Sequence, residues 1–172
     1  PNRAEELMGA ICNLIHALVI DTLHIVGDIF DRGPGAGKIM EQLCNYHDFD
    51  IQWGNHDIEW MGAAAGNAAL IATVLRVSIR YANVETLEEG YSINLLPLAT
   101  LAIDTYGNDP CTQFLTKDFE NNPRLKRSAM LMARMHKAIS IIQFKLEGQI
   151  IKRHPEYHMD DRLLLDKIDP EK

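Results

Sequence analysis

Two short loops hold most of the side chains in this sequence that could bind a metal ion, bind phosphate or transfer a proton. The first, residues 27–34, contains Asp28, Asp31 and Arg32, and the second, residues 54–57, reads Gly-Asn-His-Asp. Carboxylate and amide oxygens suit hard divalent cations. A guanidinium group matches a phosphate bidentately, and a histidine held by a carboxylate can act as a general acid near neutral pH. These are the residue types that hydrolysis of a phosphate ester requires.

Each loop, taken alone, is also compatible with a purely structural role. Asp-Arg-Gly-Pro fits an ion-paired turn, and Gly-Asn-His-Asp fits the N-terminus of a helix whose histidine has no function. However, the two loops occur together, and each follows a predicted strand. That combination favours one shared site over two unrelated turns.

The elements that would position these loops alternate between strand and helix. Residues 22–26 form an apolar, β-branched run that predicts a buried strand, residues 35–46 predict a helix, and residues 49–53 predict a second strand. This order predicts a βαβ unit with parallel strands and a right-handed crossover. Both loops would then lie at the carboxyl ends of the strands, where sites in open α/β sheets gather.

Outside this unit the sequence predicts helices. Apolar residues recur at helical spacing over residues 5–19, 58–82, 88–106 and 123–151. The last of these helices carries an apolar stripe that predicts core packing, formed by Leu125, Ala129, Met132, Met135, Ile139, Ile142 and Leu146. A proline follows this helix, and the tail predicts one more short element.

Composition limits the classes of partner. The 172 residues suit one domain on a guide of ~150 residues per domain. A net charge of -7 argues against a general nucleic-acid binder, and no apolar run approaches the ~20 residues that span a membrane. Cys12, Cys44 and Cys111 lie far apart without metal-ligand spacing, which predicts reduced thiols in a cytoplasmic protein. We therefore expect neither a nucleic-acid nor a membrane partner.

In sequence and order the two loops resemble the GDxxDRG and GNH(D/E) motifs of the calcineurin-like metallophosphoesterases. The resemblance implies that Asp28 bridges two metal ions. It also implies that Asn55 binds one metal through its amide oxygen while its NH₂ group donates to phosphate. Arg32 is the predicted phosphate clamp.

The same resemblance implies a general acid. His56 would face the oxygen of the leaving group and protonate it. Its ring needs a carboxylate partner, and the family pattern favours Asp31 for that role. Asp57 is the second choice, with bracing of the loop as its first predicted role.

A longer stretch, residues 23–66, resembles the bacterial class III fructose-1,6-bisphosphatases, and the similarity continues through residues 145–149 and 159–166. The implied fold is α/β: residues 1–60 form part of a calcineurin-like metallophosphoesterase βαβ core, residues 61–153 form a large, mainly α-helical insertion, and residues 154–172 form a C-terminal segment. The implied reaction is hydrolysis of the C1 phosphate of fructose 1,6-bisphosphate in gluconeogenesis, with Mn²⁺ as the usual metal.

The chain begins at Pro1, without a methionine, and contributes only Asp28 and Asn55 to the implied two-metal site. We therefore expect an internal fragment of a larger enzyme that is inactive alone and binds metal weakly. An exposed, broken sheet would promote its self-association.

Two alternatives stay open. One is another phosphoesterase of the superfamily, acting on phosphoproteins or dinucleoside polyphosphates. The other is a non-catalytic helical interaction domain with vestigial motifs, which predicts that His56 or Asp28 is unpaired and that the two are far apart.

Overall fold

A computed structural model of the chain describes residues 3–115 and 126–167. Strand β1 (Leu23–Ile25) pairs in parallel with β2 (Phe49–Ile51), and helix α2 (Ala36–Cys44) connects them. The ladder aligns Leu23 with Phe49 and Ile25 with Ile51. The predicted strand–helix–strand order with parallel pairing is therefore present. That this unit belongs to a calcineurin-like core stays a prediction.

The prediction that the first strand is buried is wrong. Leu23 and Ile25 are only half-buried, His24 between them is exposed, and Val26 just beyond the strand is 80% exposed. Among the described residues the sheet has two strands. A ladder of two strands offers too little surface to bury an apolar run on both faces.

The hydrophobic core lies in the helical part of the chain. Helices α4 (Ala68–Arg80) and α5 (Leu96–Tyr106) pack on the long helix α6 (Lys126–Arg153), and α3 (Asn55–Ala64) packs on α4. The core consists of Ala72, Val74, Ile79, Leu87, Leu95, Ala102, Met135, Ala138 and Ile139. Because α3 also begins at the second loop, the core supports one side of the candidate site.

The predicted apolar stripe of α6 is confirmed. Its members Ala129, Met135 and Ile139 are buried, and Met132, Ile142 and Leu146 pack against the core. Residues 123–125, with which the prediction began, lie outside the described residues.

The prediction of one helix over residues 58–82 is wrong, since α3 and α4 are separate helices. Gly66 between them has φ +87°, a left-handed conformation that ends α3. Asn67 Oδ1 then accepts the backbone N–H groups of Ala69 (3.1 Å) and Leu70 (3.2 Å) and caps α4. The Gly-Asn pair interrupts a run whose apolar periodicity alone favours one continuous helix.

The prediction of one helix over residues 88–106 is also wrong. A π-helical turn, Thr86–Gly90, comes first, and α5 begins only at Leu96. Ser92 has φ +55°, and the Asn94 side chain accepts the N–H of Leu96 at 2.9 Å. These local contacts start a new helix instead of extending the turn.

Helix α1 (Arg3–Val19) matches the amphipathic helix predicted over residues 5–19, but none of its residues is buried. At the other end, the tail forms short 3₁₀ turns at Pro155–Tyr157, Asp160–Arg162 and Leu165–Lys167. The predicted domain boundary after residue 60 falls inside α3 and stays a prediction. None of the described helices is long and apolar enough to cross a membrane.

Candidate active site

Two glycines allow the two loops to touch. Gly27 has φ +87°, and a Cβ atom added there would lie 2.5 Å from the carbonyl oxygen of Gln52. A Cβ atom on Gly54 would lie 2.7 Å from the backbone nitrogen of Asp28. Side chains do not tolerate such short approaches to backbone, so any other residue at either position would push the loops apart.

The carboxylate of Asp57 ties the loops together. It accepts the backbone N–H groups of Asp28 at 2.6 Å and Phe30 at 3.2 Å in the first loop, and that of Gly54 at 2.9 Å in the second. Asp57 is buried, with 6% of its surface exposed. Three N–H donors offset the cost of burying its charge. Asp57 therefore braces both loops, and its carboxylate forms no ion pair with the His56 ring, whose partners among the described residues are Asp31 and Glu59.

Asp28 adopts a left-handed backbone conformation, with φ +55°. A non-glycine residue pays about 1–3 kcal/mol for this geometry, and such strain persists only where the surroundings hold it. Here Asp57 holds the Asp28 backbone, and the Asp28 side chain faces the second loop, where Oδ1 accepts the N–H of His56 at 3.4 Å. The result is an exposed carboxylate fixed over the first turn of α3.

Two carboxylates face the two ring nitrogens of His56. Nε2 lies 3.0 Å from Asp31 Oδ1, and Nδ1 lies 3.5 Å from Glu59 Oε2, one helical turn further along α3. The His56 side chain is 16% exposed. A carboxylate thus lies beside each ring nitrogen, so that a protonated ring would face a negative charge on both sides.

Asp31 also contacts Arg32. Its Oδ1 atom lies 3.0 Å from Arg32 Nε as well as 3.0 Å from His56 Nε2. This oxygen is shielded from solvent, and neither contact has the alignment of a hydrogen bond. The pairing is therefore mainly one of charge, and one carboxylate links the predicted proton donor to the predicted phosphate clamp.

The end of α4 anchors the first loop. The Arg32 guanidinium carbon lies 5.0 Å from the centre of the Tyr81 ring, a cation–π distance. Asn83 Nδ2 donates to the carbonyl oxygen of Gly33 at 3.0 Å, and Thr86 Oγ1 donates to Asn83 Oδ1 at 2.7 Å. The helical core thereby fixes the position of the first loop.

The residues predicted to bind metal fit a divalent cation by donor type but not by number. Asp28 offers a carboxylate and Asn55, the first residue of α3, offers an exposed amide. Hard cations take about six oxygen ligands. In residues 3–115 and 126–167 no group of three or more His, Cys, Asp or Glu side chains is placed to hold a metal ion. Asp28 and Asn55 would therefore account for only part of a metal site.

The structure thus brings all six predicted site residues onto two touching loops, while their roles in a reaction stay predictions. Glu59, Tyr81 and Asn83 were not anticipated. Glu59 lies three residues after His56 on a helix, a spacing that could have indicated it. Nothing in the local sequence links Tyr81 or Asn83 to the first loop, because those contacts join residues about 50 positions apart.

Comparison with known proteins supplies the family. The model of the family described as Firmicute fructose-1,6-bisphosphatase matches residues 1–172. Curated relatives with the name fructose-1,6-bisphosphatase class 3 include those of Parabacteroides distasonis, 60% identical over 97% of this chain and 25% of the relative, and Clostridium novyi, 61% identical over 99% of this chain and 26% of the relative.

This chain therefore spans about a quarter of the length of the curated relatives that it matches. No solved structure matches it. The match of the family model along the whole chain, together with the identity of about 60%, leads to one conclusion: this chain belongs to the Firmicute fructose-1,6-bisphosphatase family.

Proposed function

We propose that the protein containing this chain hydrolyses the C1 phosphate of fructose 1,6-bisphosphate, yielding fructose 6-phosphate and inorganic phosphate, as a cytoplasmic step of gluconeogenesis. One observation carries the proposal: Asp31 Oδ1 lies 3.0 Å from both His56 Nε2 and Arg32 Nε. A single carboxylate then positions a proton donor beside a phosphate-binding group. The sugar bisphosphate is named from the relatives, whose printed name is fructose-1,6-bisphosphatase.

Arg32 would bind the reacting phosphoryl group. Because Nε faces Asp31, the two terminal amino groups of the guanidinium stay available for two phosphoryl oxygens. The adjacent N-terminus of α3 adds the positive end of a helix dipole, which favours an anion in the same place.

His56 would donate a proton to the leaving oxygen. The contact to Glu59, at 3.5 Å, is the looser of its two carboxylate contacts. A leaving oxygen that replaces Glu59 at Nδ1 would find the ring still held by Asp31 at Nε2. General acid catalysis of this kind contributes about 10²–10⁴-fold to a rate.

Manganese is the proposed metal, with Asp28 and Asn55 as two of its oxygen ligands and the other ligands supplied from elsewhere in the protein. A bound pair of divalent ions would supply two things there, a nucleophilic water at neutral pH and charge neutralisation at the phosphoryl oxygens. The carboxylate of Asp28 and the amide of Asn55 suit a hard cation.

A substrate panel tests the proposal. We would assay the full-length protein and the 172-residue chain with Mn²⁺ on fructose 1,6-bisphosphate, glucose 6-phosphate, a phosphopeptide and a dinucleoside polyphosphate. We expect the full-length protein to prefer the sugar bisphosphate and the 172-residue chain to be inactive. A full-length protein that ignores fructose 1,6-bisphosphate would contradict the proposal, and hydrolysis of another compound on the panel would identify the alternative phosphoesterase.

The non-catalytic alternative receives no support from the geometry. It expects His56 or Asp28 to be unpaired and distant from each other. Instead His56 pairs with Asp31, and its backbone N–H lies 3.4 Å from Asp28 Oδ1.

A further inference from the structure

A cleft lies between the end of α4 and the middle of α6, outside the two motif loops. Its volume is about 760 Å³, which is within the range of small-molecule sites. Arg76, Arg80 and Tyr81 line it from the end of α4, and His136 lines it from α6. Neither the sequence motifs nor the proposed chemistry uses these residues.

The cleft concentrates positive charge in an acidic chain. Two arginines line it, and none of its described lining residues is acidic. Among the described residues neither Arg76 nor Arg80 has an ion-pair partner. Arginines left without a carboxylate partner at the wall of a cleft are suited to bind a phosphate.

A buried amide holds Arg76 in position. Arg76 Nε donates to Gln143 Oε1, and Gln143 Nε2 in turn donates to Glu147 Oε1 at 2.6 Å. Gln143 is 7% exposed. Because Nε is used in this contact, the terminal amino groups of Arg76 stay available for a ligand in the cleft.

The pKa of His136 depends on its burial and on the charges in the cleft. Its Nδ1 atom lies 3.2 Å from the carbonyl oxygen of Phe114. Burial lowers the pKa of His136 below its usual 6.5, and the positive charges of Arg76 and Arg80 lower it further. An anion in the cleft would offset those charges.

One tyrosine connects this cleft to the first motif loop. The Tyr81 ring centre lies 5.0 Å from the guanidinium carbon of Arg32 and 5.8 Å from that of Arg80. The two guanidinium groups are thus separated by no more than the sum of these distances. That separation is within the length of a small molecule with two anionic ends.

We propose that the cleft lined by Arg76, Arg80 and His136 is a second phosphate-binding site, which holds the non-reacting phosphate of the bisphosphate while Arg32 holds the reacting one. The inference rests on the proposed function. It adds the position of the second phosphate and assigns the specificity for a bisphosphate to α4 and α6.

Steady-state kinetics of the full-length protein test this site. We would compare Arg80→Met and Arg76→Met with Arg153→Met, which removes an exposed arginine at the end of α6. The substrates are fructose 1,6-bisphosphate and fructose 1-phosphate, which lacks the second phosphate. Loss of one charged hydrogen bond is worth about tenfold or more in binding. We therefore expect the KM for the bisphosphate to rise about tenfold or more in the two cleft variants, while the kinetics with fructose 1-phosphate stay unchanged.

These kinetics test the proposed function and the second phosphate site separately. A wild-type protein that does not hydrolyse the bisphosphate contradicts the proposed function. A wild-type protein that does hydrolyse it, with cleft variants that behave like Arg153→Met or that lose activity equally on both substrates, overturns the second phosphate site. Arg80 is exposed, so the outcome for Arg80→Met does not depend on the buried contact that Arg76 makes.

A binding measurement on the 172-residue chain is independent of hydrolysis. Inorganic phosphate is titrated while the histidine side-chain signals are followed by NMR. We expect the signals of His136 to shift and its pKa to rise with phosphate in the wild type, and neither change to occur in the Arg76→Met/Arg80→Met double variant. Unchanged His136 signals in the wild type, or equal changes in the double variant, would overturn the site.

Discussion

The N-terminal half of the molecule, from α1 to β2, and the helical half, from α3 to α6, bury their apolar residues to very different extents. In the helical half, Ile79, Leu87 and Ala102 are 0% exposed. In the N-terminal half, α1 buries no residue at all, and the two strands are only half-buried. Each half was predicted by the same kind of pattern, apolar residues recurring at the period of a helix or grouped in a strand.

The difference shows that apolar periodicity predicts an apolar face on a helix but does not predict whether that face is buried. Helix α1 presents a continuous apolar face, formed by Leu7, Met8, Ile11, Leu14, Ile15, Leu18 and Val19, all exposed. Helix α6 presents a similar stripe, and α4 and α5 cover it. Burial, and therefore most of the free energy of folding, needs a partner surface that no single element specifies.

The candidate active site lies where these halves meet. The first loop follows β1 in the poorly buried half, while α3 and the end of α4 supply Asp57 and Asn83 from the helical half. The predicted site residues of the first loop thus lie on the weakly packed unit, and those of α3, Asn55 and His56, lie on the well packed one. Two comparisons between matched residues of the two halves, and one of the brace that joins them, test this division.

The largest expected effect distinguishes two histidines that each contact an aspartate. His56 contacts Asp31 in the candidate site, and His24 contacts Asp50 across the two strands. In the full-length protein we expect His56→Gln to lower kcat on fructose 1,6-bisphosphate by about 10²–10⁴-fold, the usual contribution of a general acid. The exposed His24→Gln should leave kcat unchanged. Equal losses of kcat in both variants would mean that His56 stabilises the structure and does not donate a proton in the reaction.

The next effect compares two isoleucines of opposite burial. Ile79 is 0% exposed in the core, whereas Ile15 on α1 is 51% exposed. Ile79→Ala should lower the free energy of unfolding by about 2–5 kcal/mol, the cost of removing buried methyl groups and leaving a cavity. Ile15→Ala should change it by less than about 0.5 kcal/mol. Urea unfolding of the 172-residue chain, followed by circular dichroism, measures both. A large loss for Ile15→Ala would show that α1 is buried against a partner in solution.

The smallest expected effect concerns the brace between the halves. Asp57→Asn keeps the shape of the side chain but replaces one acceptor oxygen with an NH₂ donor, which faces backbone N–H groups. We expect the free energy of unfolding to fall by about 1–3 kcal/mol, and the amides of Asp28 and Phe30 to lose protection from hydrogen exchange. Asp104→Asn, at an exposed position of α5, is the matched control. Unchanged protection of both amides in Asp57→Asn would contradict the bracing role.

Much of the local structure could be predicted because it depends on near neighbours. The parallel strand pair, the position of α1 and the buried stripe of α6 all follow from patterns within a few turns of chain. Local signals also marked the boundaries at which the two helix predictions are wrong. Gly66 and Asn67 end one helix and begin the next, and Asn94 caps α5. The apolar periodicity continues across these caps, and the caps decide where the helices begin and end.

The sequence by itself determined which residues could do the chemistry. Asp28, Asp31, Arg32, Asn55, His56 and Asp57 follow two predicted strands in an order that identifies the family, and parallel strands bring their carboxyl ends to one edge. Only the tertiary structure decided how those residues are held. The contact of Asn83 with Gly33, the three N–H groups around Asp57, the cleft beside Arg76 and the exposed face of α1 all depend on pairs of elements. The physical reason is that side-chain contacts between distant segments arise from packing, and a local pattern holds no record of which surface will pack against it.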